Sequence, residues 1–123
     1  MQSFVYSTAH KDKVESVDVA RWEQYSGIAA MPFQAMWYSV PPSTKAPFDR
    51  HPEIELSMVL RGTAVVETDS GTSTVEQGNG FLLAGGEGHT VANPSPDEPL
   101  LVFSAYWWPE GTAPADQSGR GHE

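Results

Sequence analysis

From residue 31 to residue 108, the structured heart of the chain, the apolar positions fall into short runs, each ended by residues that turn the chain. Residues 33–40 are apolar and aromatic and stop at Pro41-Pro42, and residues 54–60 stop at Arg61-Gly62. Residues 63–68 and 72–75 flank Asp69-Ser70-Gly71, which predicts a hairpin. Gly78-Asn79-Gly80 leads into Phe81-Leu82-Leu83, and Gly85-Gly86-Glu87-Gly88 leads into residues 89–92. A last run, residues 100–108, follows a proline-rich loop. No segment sustains helical periodicity. Many short strands with close turns predict an all-β barrel or sandwich. Residues 1–30 read as an irregular N-terminal extension, in which Val14, Val17, Val19 and Trp22 suggest a short strand or a turn of helix. Residues 109–123 hold almost nothing that could be buried and are expected to form a disordered tail.

Composition narrows the classes. A chain of 123 residues with 39% apolar and 11% aromatic content fills one core. Sixteen acidic against seven basic residues give a net charge of −9. That balance argues against nucleic acid, which a basic face would attract, and against an anionic membrane surface. The absence of cysteine excludes disulfides, thiolate metal sites and cysteine nucleophiles. No apolar segment follows a basic start, and no run approaches the roughly 20 residues of a membrane span. The expectation is a cytoplasmic protein in which any metal is held by His, Asp or Glu.

Candidate chemistry concentrates in Asp49-Arg50-His51-Pro52-Glu53-Ile54-Glu55. If the segment is extended, residues 49, 51, 53 and 55 share one face, because strand side chains alternate. An imidazole and three carboxylates turned toward a core would require a compensating ion. Turned toward water, the same face would simply be solvated. Downstream, Gly78, Gly86, His89 and Asn93 recur at fixed spacing, with glycines suited to tight turns that would aim His89 back into a barrel.

These residues resemble the cupin superfamily, whose two motifs are G(X)5HXH(X)3-4E(X)6G and G(X)5PXG(X)2H(X)3N. His51 matches the second histidine of the first motif, followed at the required spacing by Glu55 and Gly62. Gly78, Gly86, His89 and Asn93 match the second motif, with Ala84 where proline usually stands. The likeness spans roughly residues 33–106. Two positions depart from the first motif: Ser43 replaces its opening glycine, and Asp49 replaces its first histidine.

The resemblance implies a double-stranded β-helix, or jelly-roll barrel, holding one divalent metal ion (Fe, Mn, Zn or Ni) on His51, Glu55 and His89. It leaves Asp49 two roles. As a fourth ligand, Asp49 would make the set two imidazoles and two carboxylates. As a base, it would stand beside the open positions of a two-histidine, one-carboxylate site. Asn93 reads as a turn or supporting group, Arg50 and Arg61 as surface residues, and Glu53 as pointing into the barrel or, more often for such a residue, paired with an arginine or solvated. His10 and His122 read as uninvolved.

The function implied is a metal-dependent monocupin enzyme acting on a small organic molecule. Asp49 tips the reading toward non-redox chemistry of the isomerase, cyclase or decarboxylase type. A non-haem Fe(II) dioxygenase is the alternative, and a non-catalytic small-molecule or metal-binding cupin is the alternative of another class. A degenerate barrel without metal ranks below these. Along residues 33–40, either Phe33, Ala35, Trp37 and Ser39 or Gln34, Met36, Tyr38 and Val40 could line the pocket. An aromatic interior with few inward bases suggests an apolar or aromatic substrate. A homodimer is expected, with residues 1–30 as one means of forming it.

Overall fold

The structure, a computed structural model, describes residues 1–112. Most of the expected tail, including His122, lies outside the described residues. Ten strands are formed: β1 (Asp12–Val14), β2 (Val17–Arg21), β3 (Gln34–Val40), β4 (Thr44–Lys45), β5 (Ile54–Arg61), β6 (Thr63–Thr68), β7 (Gly71–Glu76), β8 (Gly80–Leu83), β9 (His89–Asn93) and β10 (Leu100–Trp107). They pair antiparallel in a six-stranded sheet of order β1-β2-β3-β10-β5-β8 and a four-stranded sheet of order β4-β9-β6-β7.

Alternation decides what enters the core. On β5, Glu55, Ser57 and Val59 are buried while Leu56 and Leu60 are exposed. On β9, His89, Val91 and Asn93 are buried. Tyr38 and Val40 join Val17, Val19, Val59, Val66, Val91, Leu100 and Val102 in one apolar cluster. Of the two faces offered by β3, the one carrying Met36 and Tyr38 therefore turns inward. Trp37, on the other face, meets Trp22 at 5.1 Å between ring centroids.

Within residues 1–30 the expected short strand and turn are both present, at Val17–Arg21 and Trp22–Gln24. β1 and β2 extend the larger sheet, and three short 3-10 turns follow or precede them. Phe4 stacks on Trp22 at 4.4 Å, and Trp22 also meets Phe103 at 5.3 Å, so the segment packs on its own sheet. Asn93 ties down the proline-rich loop: its Nδ2 donates to the carbonyls of Val40, Pro41 and Glu98, and its Oδ1 accepts from Ser95 N–H.

Two local features position the site. Residues 50–53 belong to no strand, with a bend at Pro52 and Glu53, and β5 begins only at Ile54. Proline has no N–H for a ladder and ends the pairing there. His51 and Glu55 therefore meet across a bend rather than along one strand face. The second feature is the turn before His89. Gly86 adopts φ +81°, a conformation glycine accepts without strain. Ala84, lacking proline's ring, has a free N–H that donates to Glu87 Oε1 at 2.9 Å.

Candidate metal centre

Asp49 and His89 are brought together by backbone pairing. Asp49 N–H donates to the His89 carbonyl at 3.0 Å, and His89 N–H donates to the Asp49 carbonyl at 2.9 Å. His51 stands beside them because Gly86 N–H donates to its carbonyl at 2.8 Å. Asp49, His51 and His89 each present a ligand atom within 4.8 Å of the others. The two imidazoles lie 5.1 Å apart at 76°.

Each imidazole is oriented by a backbone carbonyl. His51 Nδ1 lies 3.1 Å from the Glu53 carbonyl and His89 Nδ1 lies 3.1 Å from the Glu87 carbonyl. A carbonyl accepts only, so both Nδ1 atoms carry hydrogen and Nε2 is the nitrogen left for an ion. His51 Nε2 is 3.0 Å from Glu55 Oε1. Glu55 joins the group through this contact, and it is not a member of the three-residue convergence. Its other oxygen, Oε2, is surrounded by Ser57 Oγ at 3.1 Å and Ser104 Oγ at 2.9 Å.

The charges are coupled. The hydrogen bond to Glu55 raises the His51 pKa to about 8 against the opposing effect of burial, with Glu55, Asp49 and Glu53 adding their fields. Burial pushes Glu55 up, but hydrogen bonds from His51 and Ser104 and the nearby imidazoles outweigh it and hold the carboxyl below its usual value. Of the orientations open to Glu53, the structure shows the buried one, with Oε1 3.6 Å from His51 Nδ1. Tyr38 is pushed up by burial and by the Glu55 charge and remains a neutral phenol.

Asp49, His89 and Glu55 line a cavity of about 310 Å³. Its wall is mostly apolar, with Val17, Val19, Met36, Phe48 and Val91 contributing, and Arg21 stands on the same wall. Neither Arg21 nor Phe48 was singled out from the sequence. Arg21 continues the alternation of Val17 and Val19, which is the signal that could have found it. Arg50 is on the surface as expected, but it also bridges the two halves of the site. Its Nη1 donates to the Gly86 carbonyl at 2.8 Å and to Asp69 Oδ2 at 3.2 Å, and that same oxygen accepts Gly88 N–H at 3.0 Å.

Two imidazole nitrogens and the Asp49 carboxylate, converging beside a cavity that Asp49 and His89 line, with both rings fixed, form a donor set that fits a divalent first-row metal ion. The fold and this donor set define a small β-barrel with a candidate metal site at its ligand cavity. The family model described as Cupin domain matches residues 36–106, and the chain belongs to that family. A protein of Photorhabdus luminescens is similar over 89% of this chain and 88% of its own, at 22% identity and a TM-score of 0.73. A Cupin 2 conserved barrel domain protein from Salinispora arenicola is similar over 87% of each chain, at 20% identity and a TM-score of 0.71. A predicted oxalate decarboxylase from Thermotoga maritima is similar over 88% of this chain and all of its own, at 16% identity and a TM-score of 0.75. No curated protein sequence matches the chain. Among the described residues no helix is long and apolar enough to cross a membrane.

Proposed function

We propose that the chain is a metal-dependent monocupin enzyme that acts on a small organic molecule by non-redox chemistry. The observation that carries this reading is the convergence of Asp49, His51 and His89, two of which, Asp49 and His89, line an apolar cavity. His51, His89 and Asp49 would hold the ion, with Glu55 as the fourth donor. A divalent ion bound there supplies Lewis acidity toward a carbonyl or enolate oxygen.

The chain's own residues supply the rest. The two serines fix the Glu55 carboxylate, the backbone carbonyls fix the imidazoles, and the apolar wall keeps water from the reacting end of a bound molecule. Where Asp49, the most exposed of the group, does not ligate the ion, it would instead hold a proton taken from substrate or water. Decarboxylation belongs to the reactions this arrangement suits, in keeping with the description of one similar structure as a predicted oxalate decarboxylase.

Elemental analysis of purified and reconstituted protein tests the reading. About one transition-metal ion per chain is expected, and its lack after reconstitution with Fe, Mn, Zn and Ni overturns the metalloenzyme. A second reading rests on the composition of the convergent group. If Glu55 stays with its serines, two histidines and one carboxylate remain, the set associated with non-haem Fe(II). Substrate-dependent oxygen consumption by the iron form would favour that dioxygenase.

A further inference from the structure

We propose that the cavity takes a small carboxylate with an apolar body, and that Arg21 is the residue that recognises its carboxylate group. The proposal deepens the reading above and rests on this cavity being the substrate site. Arg21 ends β2 and turns inward with Val17 and Val19, so its side chain lines the cavity and is half-buried there. Every other lysine and arginine among the described residues has a partner. Lys13 pairs with Asp18, Lys45 with Glu67, Arg50 with Asp69 and Arg61 with Glu98, while Lys11 donates to the carbonyls of Tyr6 and Ala9. The Arg21 guanidinium has neither a hydrogen bond nor an ion pair among the described residues.

In a chain with sixteen acidic residues against seven basic ones, an arginine at a cavity wall without an acidic partner among the described residues calls for an explanation. Guanidinium does not neutralise itself by losing a proton in a protein, so its charge must be met by solvent or by a ligand. Tyr106 lies within the field of Arg21, but burial keeps that phenol protonated, so it brings no countercharge. Glu23, two residues on, is exposed and makes no ion pair with it. The planar fork of N–H donors matches the two oxygens of a carboxylate.

The rest of the wall says what the carboxylate is attached to. Val17, Val19, Met36 and Val91 offer no hydrogen bonds, and Phe48 stands 62% exposed at the rim. At about 310 Å³ the cavity lies at the small end of ligand pockets. Sheet register sets the span. Arg21 pairs with Met36, Met36 with Ser104, and Ser104 Oγ contacts Glu55. Two strand spacings, roughly 10 Å, separate the Arg21 backbone from that of Ser104. One molecule of aryl-carboxylate size reaches from the guanidinium toward the candidate metal end. A single arginine on an apolar wall suits a carboxylate better than a phosphate, which ordinarily collects several donors.

Binding, not turnover, tests the proposal. Benzoate, benzamide and phenyl phosphate serve as probes, titrated by NMR and calorimetry into metal-free and zinc-loaded protein. Benzoate is expected to bind metal-free protein about tenfold or more tightly than benzamide, which has the same shape without the charge. Arg21→Gln should erase that preference while leaving zinc content and melting temperature as in wild type, and Arg21→Lys should restore part of it. Equal binding of benzoate and benzamide, no benzoate binding at millimolar concentration, or an undiminished preference in Arg21→Gln overturns the proposal. Tighter binding of phenyl phosphate than of benzoate overturns the carboxylate assignment. If no metal is retained but Arg21-dependent benzoate binding is seen, the metal reading fails and this one stands. If zinc loads and no charge preference appears, the reverse holds.

Discussion

His51 and Glu55 show how far one pair of side chains can set the behaviour of the site. In the metal-free protein the folded pKa of His51 is raised from 6.5 to about 8, so its contribution to stability is complete below pH 6.5 and is lost as pH rises through 8. Glu55 is lowered from 4.5, so its contribution is present above that value and is lost as pH falls below it. The melting temperature of metal-free protein is therefore expected to peak between about pH 5 and 6.5 and to decline toward pH 8.5. Saturating zinc should reduce the alkaline decline, because bound metal takes over the role of the proton. Thermal scans across pH with and without zinc check this, and a flat metal-free profile from pH 6 to 9 would contradict it. Ser43 gives a second prediction. It adopts φ +56° at the position where the family motif has glycine. A left-handed non-glycine residue costs about 1–2 kcal/mol, and glycine's extra unfolded freedom returns about half. Ser43→Gly should stabilise the protein by roughly 0.5–1 kcal/mol in urea unfolding, and Ser43→Ala should not. The sequence made the substitution visible, but the backbone angle explains why the motif has glycine there.

Among the elements, the β6–β7 hairpin does more than close a sheet edge. Its turn residue Asp69 reaches the Gly88 N–H and the Arg50 guanidinium, and so links the segment carrying Asp49 and His51 to the turn preceding His89. The Gly88 hydrogen bond and then Arg50 hold Asp69 below its usual carboxylate pKa. Because the network is exposed, its share of global stability is small. Its effect should fall on ligand placement instead. Asp69→Ala is expected to weaken zinc binding a few-fold, measured by competition with a chelator, and to shift the melting temperature little. Unchanged zinc affinity would show that the hairpin turn does not position His89. Strands and turns were legible in the runs and glycines of the sequence, because burial alternates on a pleated ladder. The bend at Pro52-Glu53 was less legible, since residues 49, 51, 53 and 55 also fit an extended face.

For the whole molecule, the larger sheet leaves Leu56, Leu60 and Leu82 exposed at 40%, 45% and 63% on its outer face. Leu56 and Leu82 are direct partners across β5 and β8, so they form one patch. We read this face, rather than residues 1–30, as the surface of the expected homodimer, because the N-terminal aromatics already pack on their own sheet. Light scattering after gel filtration should report a dimer, and Leu82→Lys should shift it toward monomer at micromolar concentration. A wild-type monomer would dispose of the idea. By itself the sequence determined the barrel, the excluded chemistries and the candidate ligands Asp49, His51, Glu55 and His89, since short alternating strands and motif spacing are local properties. Tertiary structure decided which donors converge, that serines from two strands hold Glu55, and that Arg21 faces the cavity without an acidic partner among the described residues. Those facts depend on residues far apart in sequence, such as Arg21, Met36 and Ser104, which come together only when strand register places them in one row.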